Sequence, residues 1–158
     1  MASEPLAYLI TFRCFGSWLP GAPRGTTDRA HNDFGQPHIA RGDLRREFAL
    51  RRMRHPELAL DAPMRAGVRD AIVLVCQNRN WQLWAVNVRT NHIHLVVSAA
   101  SPSEAVMDRL KSSATFHLRQ LGLSAAGVRL WSRHGSTLSL WTELQRARAV
   151  DYTLNRQD

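Results

Sequence analysis

The chain has 158 residues, a length that suits one domain able to bury its own core without disulfides or a structural metal. Hydrophobic content of 44% and charged content of 22% are globular values, and no apolar run approaches the roughly 18 residues of a membrane span. The charge is the departure: 21 Lys and Arg against 13 Asp and Glu give +8, with Lys111 the single lysine, and so large an excess points to a polyanionic partner.

Residues 6–15, LAYLITFRCF, are rich in aromatic and β-branched types and predict a strand. The stretch 16–42 is studded with glycine and proline and predicts a long ordered loop, of a length that is uncommon unless functional. Residues 43–54, DLRREFALRRMR, predict a short basic helix. Asp61 and Pro63 mark the start of a clearer helix, with Met64, Val68, Ala71, Ile72 and Val75 as its buried stripe. Residues 81–88 and 91–98 predict two strands joined at Arg89-Thr90 in an antiparallel hairpin. Ser101-Pro102-Ser103-Glu104 offers a capping box to a helix that buries Val106, Leu110, Ala114, Leu118 and Leu121 and ends at Gly122. Residues 128–141 predict a strand, a turn at Gly135-Ser136 and a second short strand. Thr142 and Gln145 then cap a last helix, which runs to about Leu154 and carries Tyr152. This order predicts a single α+β domain over 1–158, a ferredoxin-like split βαβ sandwich with an antiparallel sheet. The segment 16–60 is inserted after the first strand, and the last helix is an addition at the C-terminus.

Cys14 and Cys76 sit in apolar runs without metal-binding spacing and read as buried thiols of a reducing compartment. Met1–Pro5 carries Glu4 and no basic run, which argues against a signal peptide. The expected location is cytoplasmic, nucleoid-associated when bound to DNA, with no membrane partner.

His92-Ile93-His94 carries the chemistry. On a strand, positions two apart share a face, so the imidazoles stand one pleat apart while Ile93 points into the core. Two such groups suit one divalent ion, and two satisfied surface histidines are the rival reading. Of the two tyrosines, Tyr8 lies in an alternating strand and reads as core. Tyr152 has Arg148 and Arg156 four residues to either side on one helical face. Arginine interleaved with aromatics suits single-stranded or hairpin nucleic acid, where phosphates are neutralised and bases stack. The candidates are Arg13, then Arg24 and Arg29 in the glycine-rich loop, Arg45, Arg46 and Arg52 in the basic helix, and Arg129, Trp131, Arg133 and His134.

Together the His-hydrophobe-His strand, the ferredoxin-like order and the late tyrosine resemble the HUH single-tyrosine transposases. These are the IS200/IS605-like family, including the REP-associated branch. Tyr8–Arg13, Gly16–Gly21, Val88–Val97, Trp131–Thr137 and Val150–Tyr152 carry the resemblance, in the family's order and over most of the chain. It implies that His92 and His94 hold Mg²⁺ or Mn²⁺, which polarises the scissile phosphate of single-stranded DNA. It implies that Tyr152 attacks phosphorus, leaving a 5′-phosphotyrosine and a free 3′-OH. The substrate implied is a DNA hairpin formed by a palindrome, handled by a monomer or homodimer. Many relatives place a metal-binding Gln or Asn four residues after the tyrosine. Here that position is Arg156, with Asn155 before it and Gln157 after it, and Gln157 is taken as the third ligand. The alternatives are a palindrome-binding module that has lost catalysis, and a ferredoxin-like RNA-binding domain. The latter lacks the aromatic pair expected on its central strands.

Overall fold

The computed structural model describes residues 3–16 and 58–155. Their elements are β1 (Ala7–Cys14), α1 (Ala62–Arg79), β2 (Gln82–Val88), β3 (His92–Ser98), α2 (Ser103–Gln120), β4 (Trp131–Leu140) and α3 (Glu143–Asn155). The sheet order is β2-β3-β1-β4 and each neighbouring pair is antiparallel. This is the split βαβ arrangement that the order of elements predicts. The expected loop over 17–42 and basic helix over 43–54 lie outside the described residues. So do Arg24, Arg29, Arg45, Arg46, Arg52, Arg156 and Gln157.

The two faces of the sheet are covered unequally. Ile10, Phe12, Ile93, Leu95 and Val97 join the buried faces of α1 and α2 in the main core. The opposite face carries a smaller cluster, Ala7, Ala85, Val96, Leu140 and Ala149, beneath α3. Central strand β3 is therefore buried on both sides, which explains its unbroken apolar run after the histidines.

Helix α1 starts as its sequence directs, with Asp61 accepting a hydrogen bond from the Met64 amide at 3.0 Å. Its predicted stripe is buried throughout. Helix α2 differs at both ends. Ser101 and Glu104 do not form a capping box. The Ser101 carbonyl accepts from the Tyr8 hydroxyl at 3.0 Å, and Ser103 donates across to Thr137 Oγ1 at 3.1 Å. Thr137 Oγ1 in turn donates to Glu104 Oε1 at 3.4 Å, so that carboxylate reaches across to Thr137, and no side chain caps the helix start. At the other end Leu121 is 52% exposed instead of buried, because the helix has already closed at the preceding turn. Gly122, at φ +73°, supplies that closure. Its amide donates to Arg119 O at 3.1 Å and the Leu123 amide to Leu118 O at 2.9 Å, the paired bonds of a left-handed helix stop. The second capping box does form, with Gln145 N donating to Thr142 Oγ1 at 3.1 Å and Trp141 N donating to Gln145 Oε1 at 2.7 Å.

In place of the strand-turn-strand expected over 128–141 stands one strand, β4 (Trp131–Leu140), with Gly135 inside it opposite Phe12. The glycine answers a demand for space and not for a turn. A Cβ there would lie 2.5 Å from Met107 Sδ and 2.6 Å from the Thr11 carbonyl oxygen. Backbone on one side and a buried methionine on the other leave no room to yield. Gly135→Ala is expected to lower stability by about 1–3 kcal/mol, read as a fall in the urea midpoint at unchanged slope.

Candidate active site

The site begins with the pairing of β1 and β3. Thr11 stands opposite His94 and Arg13 opposite His92, so these four side chains share the α3 face of the sheet. The two imidazoles meet edge to face with centroids 4.7 Å apart. Both are nearly buried, His92 at 6% and His94 at 7% exposure. Burial of two polar rings has a cost unless their nitrogens are engaged. The Asn91 amide oxygen lies 2.6 Å from His92 Nδ1. An amide oxygen only accepts, so Nδ1 is the donor of this bond. Thr11 Oγ1 lies 2.8 Å from His94 Nδ1 and orients that ring from the neighbouring strand. Each histidine thus has its inner nitrogen held by a neighbouring polar side chain.

Tyr152 comes to the same place from α3. Its ring meets His94 edge to face with centroids 5.9 Å apart, and it is 43% exposed. Two features hold α3 in register over β2 and β3. Near its start the Arg146 guanidinium lies 4.1 Å over the Trp84 ring. Near its end Asn87 Nδ2 donates to the Thr153 carbonyl at 3.0 Å. Asn87 is also the partner of His94 across β2 and β3, so one amide ties the tyrosine's own turn to the strand beside the histidine. Thr153 is fully buried beneath that turn. Tyr8, the other tyrosine, is a core residue as expected, 8% exposed.

Imidazole nitrogen is a donor type that suits Mn²⁺. No group of three or more His, Cys, Asp or Glu forms a metal cluster among the described residues. Further donors would come from oxygen groups, as the expected Gln157 would. Asn155, the other amide near the tyrosine, donates through Nδ2 to Asp151 Oδ1 at 2.9 Å along its own helix.

The remaining predicted residues disperse. Arg13 lies beside the histidines, and Arg148 lines a depression of about 410 Å³ with Ala147, Asp151 and Tyr152. Arg133 and His134 are exposed on edge strand β4. Arg129 is exposed, with its guanidinium 4.6 Å over the Phe15 ring and its Nε donating to Trp131 O at 3.2 Å. Trp131 is core and not a stacking platform. It is 8% exposed, lies edge to face 5.0 Å from Phe12, and donates from Nε1 to Lys111 O and Thr115 Oγ1. A tryptophan among arginines carries no signal of which way it faces until the strand register is known. Cys14 and Cys76 are buried thiols, and burial pushes the Cys76 thiol up to about 11, which removes it from chemistry near neutrality. Sequence reasoning missed Thr11, Asn87 and Asn91. Asn91 had the signal of adjacency to His92, whereas the other two depend on cross-strand pairing.

No helix among the described residues is long and apolar enough to cross a membrane. No curated protein matches the chain. Among solved structures, a REP-associated tyrosine transposase bound to a REP hairpin is 11% identical, with a TM-score of 0.50 over 97% of this chain and 67% of that one. A provisionally named transposase from Deinococcus radiodurans R1 is 16% identical, with a TM-score of 0.45 over 99% of this chain and 94% of that one. The profile of the IS200-like transposases matches residues 51–139, which include both histidines and stop short of Tyr152. That match spans more than half of the 158 residues and takes in the histidine strand with the elements on either side of it, and the chain belongs to the IS200-like transposase family.

Proposed function

We propose that the protein is a divalent-metal-dependent endonuclease and strand transferase for single-stranded DNA, acting on hairpin or palindromic substrates through Tyr152. The observation that carries this reading is the position of the Tyr152 ring, half exposed and edge to face with His94 at 5.9 Å. A nucleophile and the pair that would hold a metal ion come together from a helix and a strand far apart in sequence. The REP-associated transposase, whose fold this chain shares, is bound to a REP hairpin, and the +8 charge suits a polyanion such as nucleic acid.

A divalent ion held by His92 and His94 would supply Lewis-acid charge to the scissile phosphate. The chain's own residues do the rest. The Tyr152 phenol oxygen forms a bond to phosphorus as the bond to the 3′ oxygen breaks. The phenolic proton is given up and the departing 3′ oxygen takes one, so the products are a 5′-phosphotyrosine and a 3′-OH. Attack by a second 3′-OH reverses these bond changes and joins strands without an external energy source. Arg148, four residues before Tyr152 and beside it in the same depression, offers positive charge to the phosphate.

The test uses a hairpin oligonucleotide carrying single-stranded flanks, labelled at one end or the other, with Mn²⁺ and a denaturing gel. The 3′-labelled fragment is expected to migrate as a protein adduct, and the 5′-labelled fragment as a shortened strand. Binding without any adduct would overturn the enzyme reading and leave a DNA-binding module.

A further inference from the structure

Beside His92 the sheet opens into a second cleft, of about 450 Å³, between the first turn of α1 and the β2–β3 turn. We infer that this cleft binds a phosphodiester of the DNA strand adjoining the one presented to His92 and His94, and that Arg65 and Arg89 are the residues that grip it. The inference rests on the proposed function for the identity of the strand. The cleft itself rests on its own construction.

Arg65 contributes one wall and residues 87–92 the others, so the cleft shares His92 with the histidine pair. No carboxylate stands among the described residues that line it. Two arginines line it together with the polar residues Asn87, Thr90 and Asn91, a lining that offers donors and positive charge to an anion. The walls are tied together. Arg65 donates from one Nη to the Leu60 carbonyl at 2.8 Å, and the Leu60 amide donates to the Thr90 carbonyl at 2.6 Å. The Arg89 amide closes the turn onto His92 O at 2.8 Å, and the Cys14 amide donates to Asn91 O at 2.9 Å. Arginine at Arg65 is thus held by one of its five N–H donors, with a planar fork whose geometry matches a phosphate. A cation fixed in advance loses little rotamer freedom when it binds, so the gain goes into affinity. The same turn carries Asn91, which orients His92. A phosphate seated in the cleft is therefore registered against the imidazole pair through a single rigid turn.

The experiment is carried out on the full chain with Tyr152→Phe, in EDTA, so that binding is read without cleavage. The probe is a hairpin oligonucleotide with single-stranded flanks. Arg65→Gln and Arg89→Gln are each expected to weaken binding about tenfold. Each should also lower the slope of log Kd against log salt by about 0.7, the value for one single-strand phosphate contact. Lysine at either position keeps the slope because it keeps the charge, which separates lost charge from lost folding. Arg109→Gln, on the exposed side of α2, reports the effect of charge alone. A scan of single neutral methylphosphonate linkages then locates the contact. One linkage beside the cleavage site should weaken the parent protein, and the double glutamine variant should be indifferent to it. A double variant that matches Arg109→Gln in slope, or that keeps the full methylphosphonate penalty, overturns the inference. Should the parent chain bind with the predicted pattern yet form no adduct with Tyr152 intact, the proposed catalysis falls and the phosphate cleft stands.

Discussion

Tyr152→Phe should abolish the protein–DNA adduct and reduce strand cleavage by about a thousandfold or more, while hairpin binding in EDTA stays within about twofold of the parent. The reasoning is local. Phenylalanine keeps the ring that meets His94 edge to face, so the packing of α3 on β3 survives. Only the oxygen that forms the bond to phosphorus is lost. Tyr8→Phe is the matched control. Its hydroxyl donates to the Ser101 carbonyl inside the fold, so its loss costs about 1 kcal/mol of stability and leaves cleavage in place. Quenched-flow or gel-based cleavage rates on the three proteins measure this directly. Equal rates for Tyr152→Phe and the parent would move the chemistry elsewhere.

The second large effect concerns the histidines. His92→Ala and His94→Ala should each weaken Mn²⁺ binding by about a hundredfold or more, and the orienting change Thr11→Val by about tenfold. The difference follows from the distances. The histidines supply the ligating nitrogens themselves, whereas Thr11 acts through His94 Nδ1 at 2.8 Å. Titration of free Mn²⁺ by its electron paramagnetic resonance signal reads these affinities without any reaction. Chelation of the ion should stop cleavage in the parent and leave DNA binding nearly unchanged, since the strand is held by arginines. If Mn²⁺ binds both alanine variants as tightly as the parent, the imidazoles are structural.

Much of this architecture was legible in the sequence where one signal dominated. The Asp61 cap, the apolar stripe of α1 and the Thr142–Gln145 box are local devices, and each forms as written. The His-x-His pattern placed both rings on one face because strand alternation leaves no other choice. What escaped were the features decided by partners distant in the chain. Glu104 looked like half of a capping box and instead accepts from Thr137, 33 residues away. Gly135 looked like a turn, yet the close approach of Met107 and Thr11 is what requires it. Trp131 looked like a base-stacking surface and belongs to the core, because its register with Cys14 turns it inward. The same limit hid Arg65 and Arg89. The Leu60–Thr90 bond joins the start of α1 to the β2–β3 turn, and nothing in either segment alone announces it.

The central claim is that the phenol oxygen of Tyr152 becomes bonded to the 5′ phosphate. Mass spectrometry of the trypsin- and nuclease-treated adduct tests it most directly. The peptide that follows Arg148 contains Tyr152, and it is expected to carry a nucleotide phosphate on that residue. A modification on the peptide containing Tyr8, or cleavage with no modified peptide at all, would contradict the account.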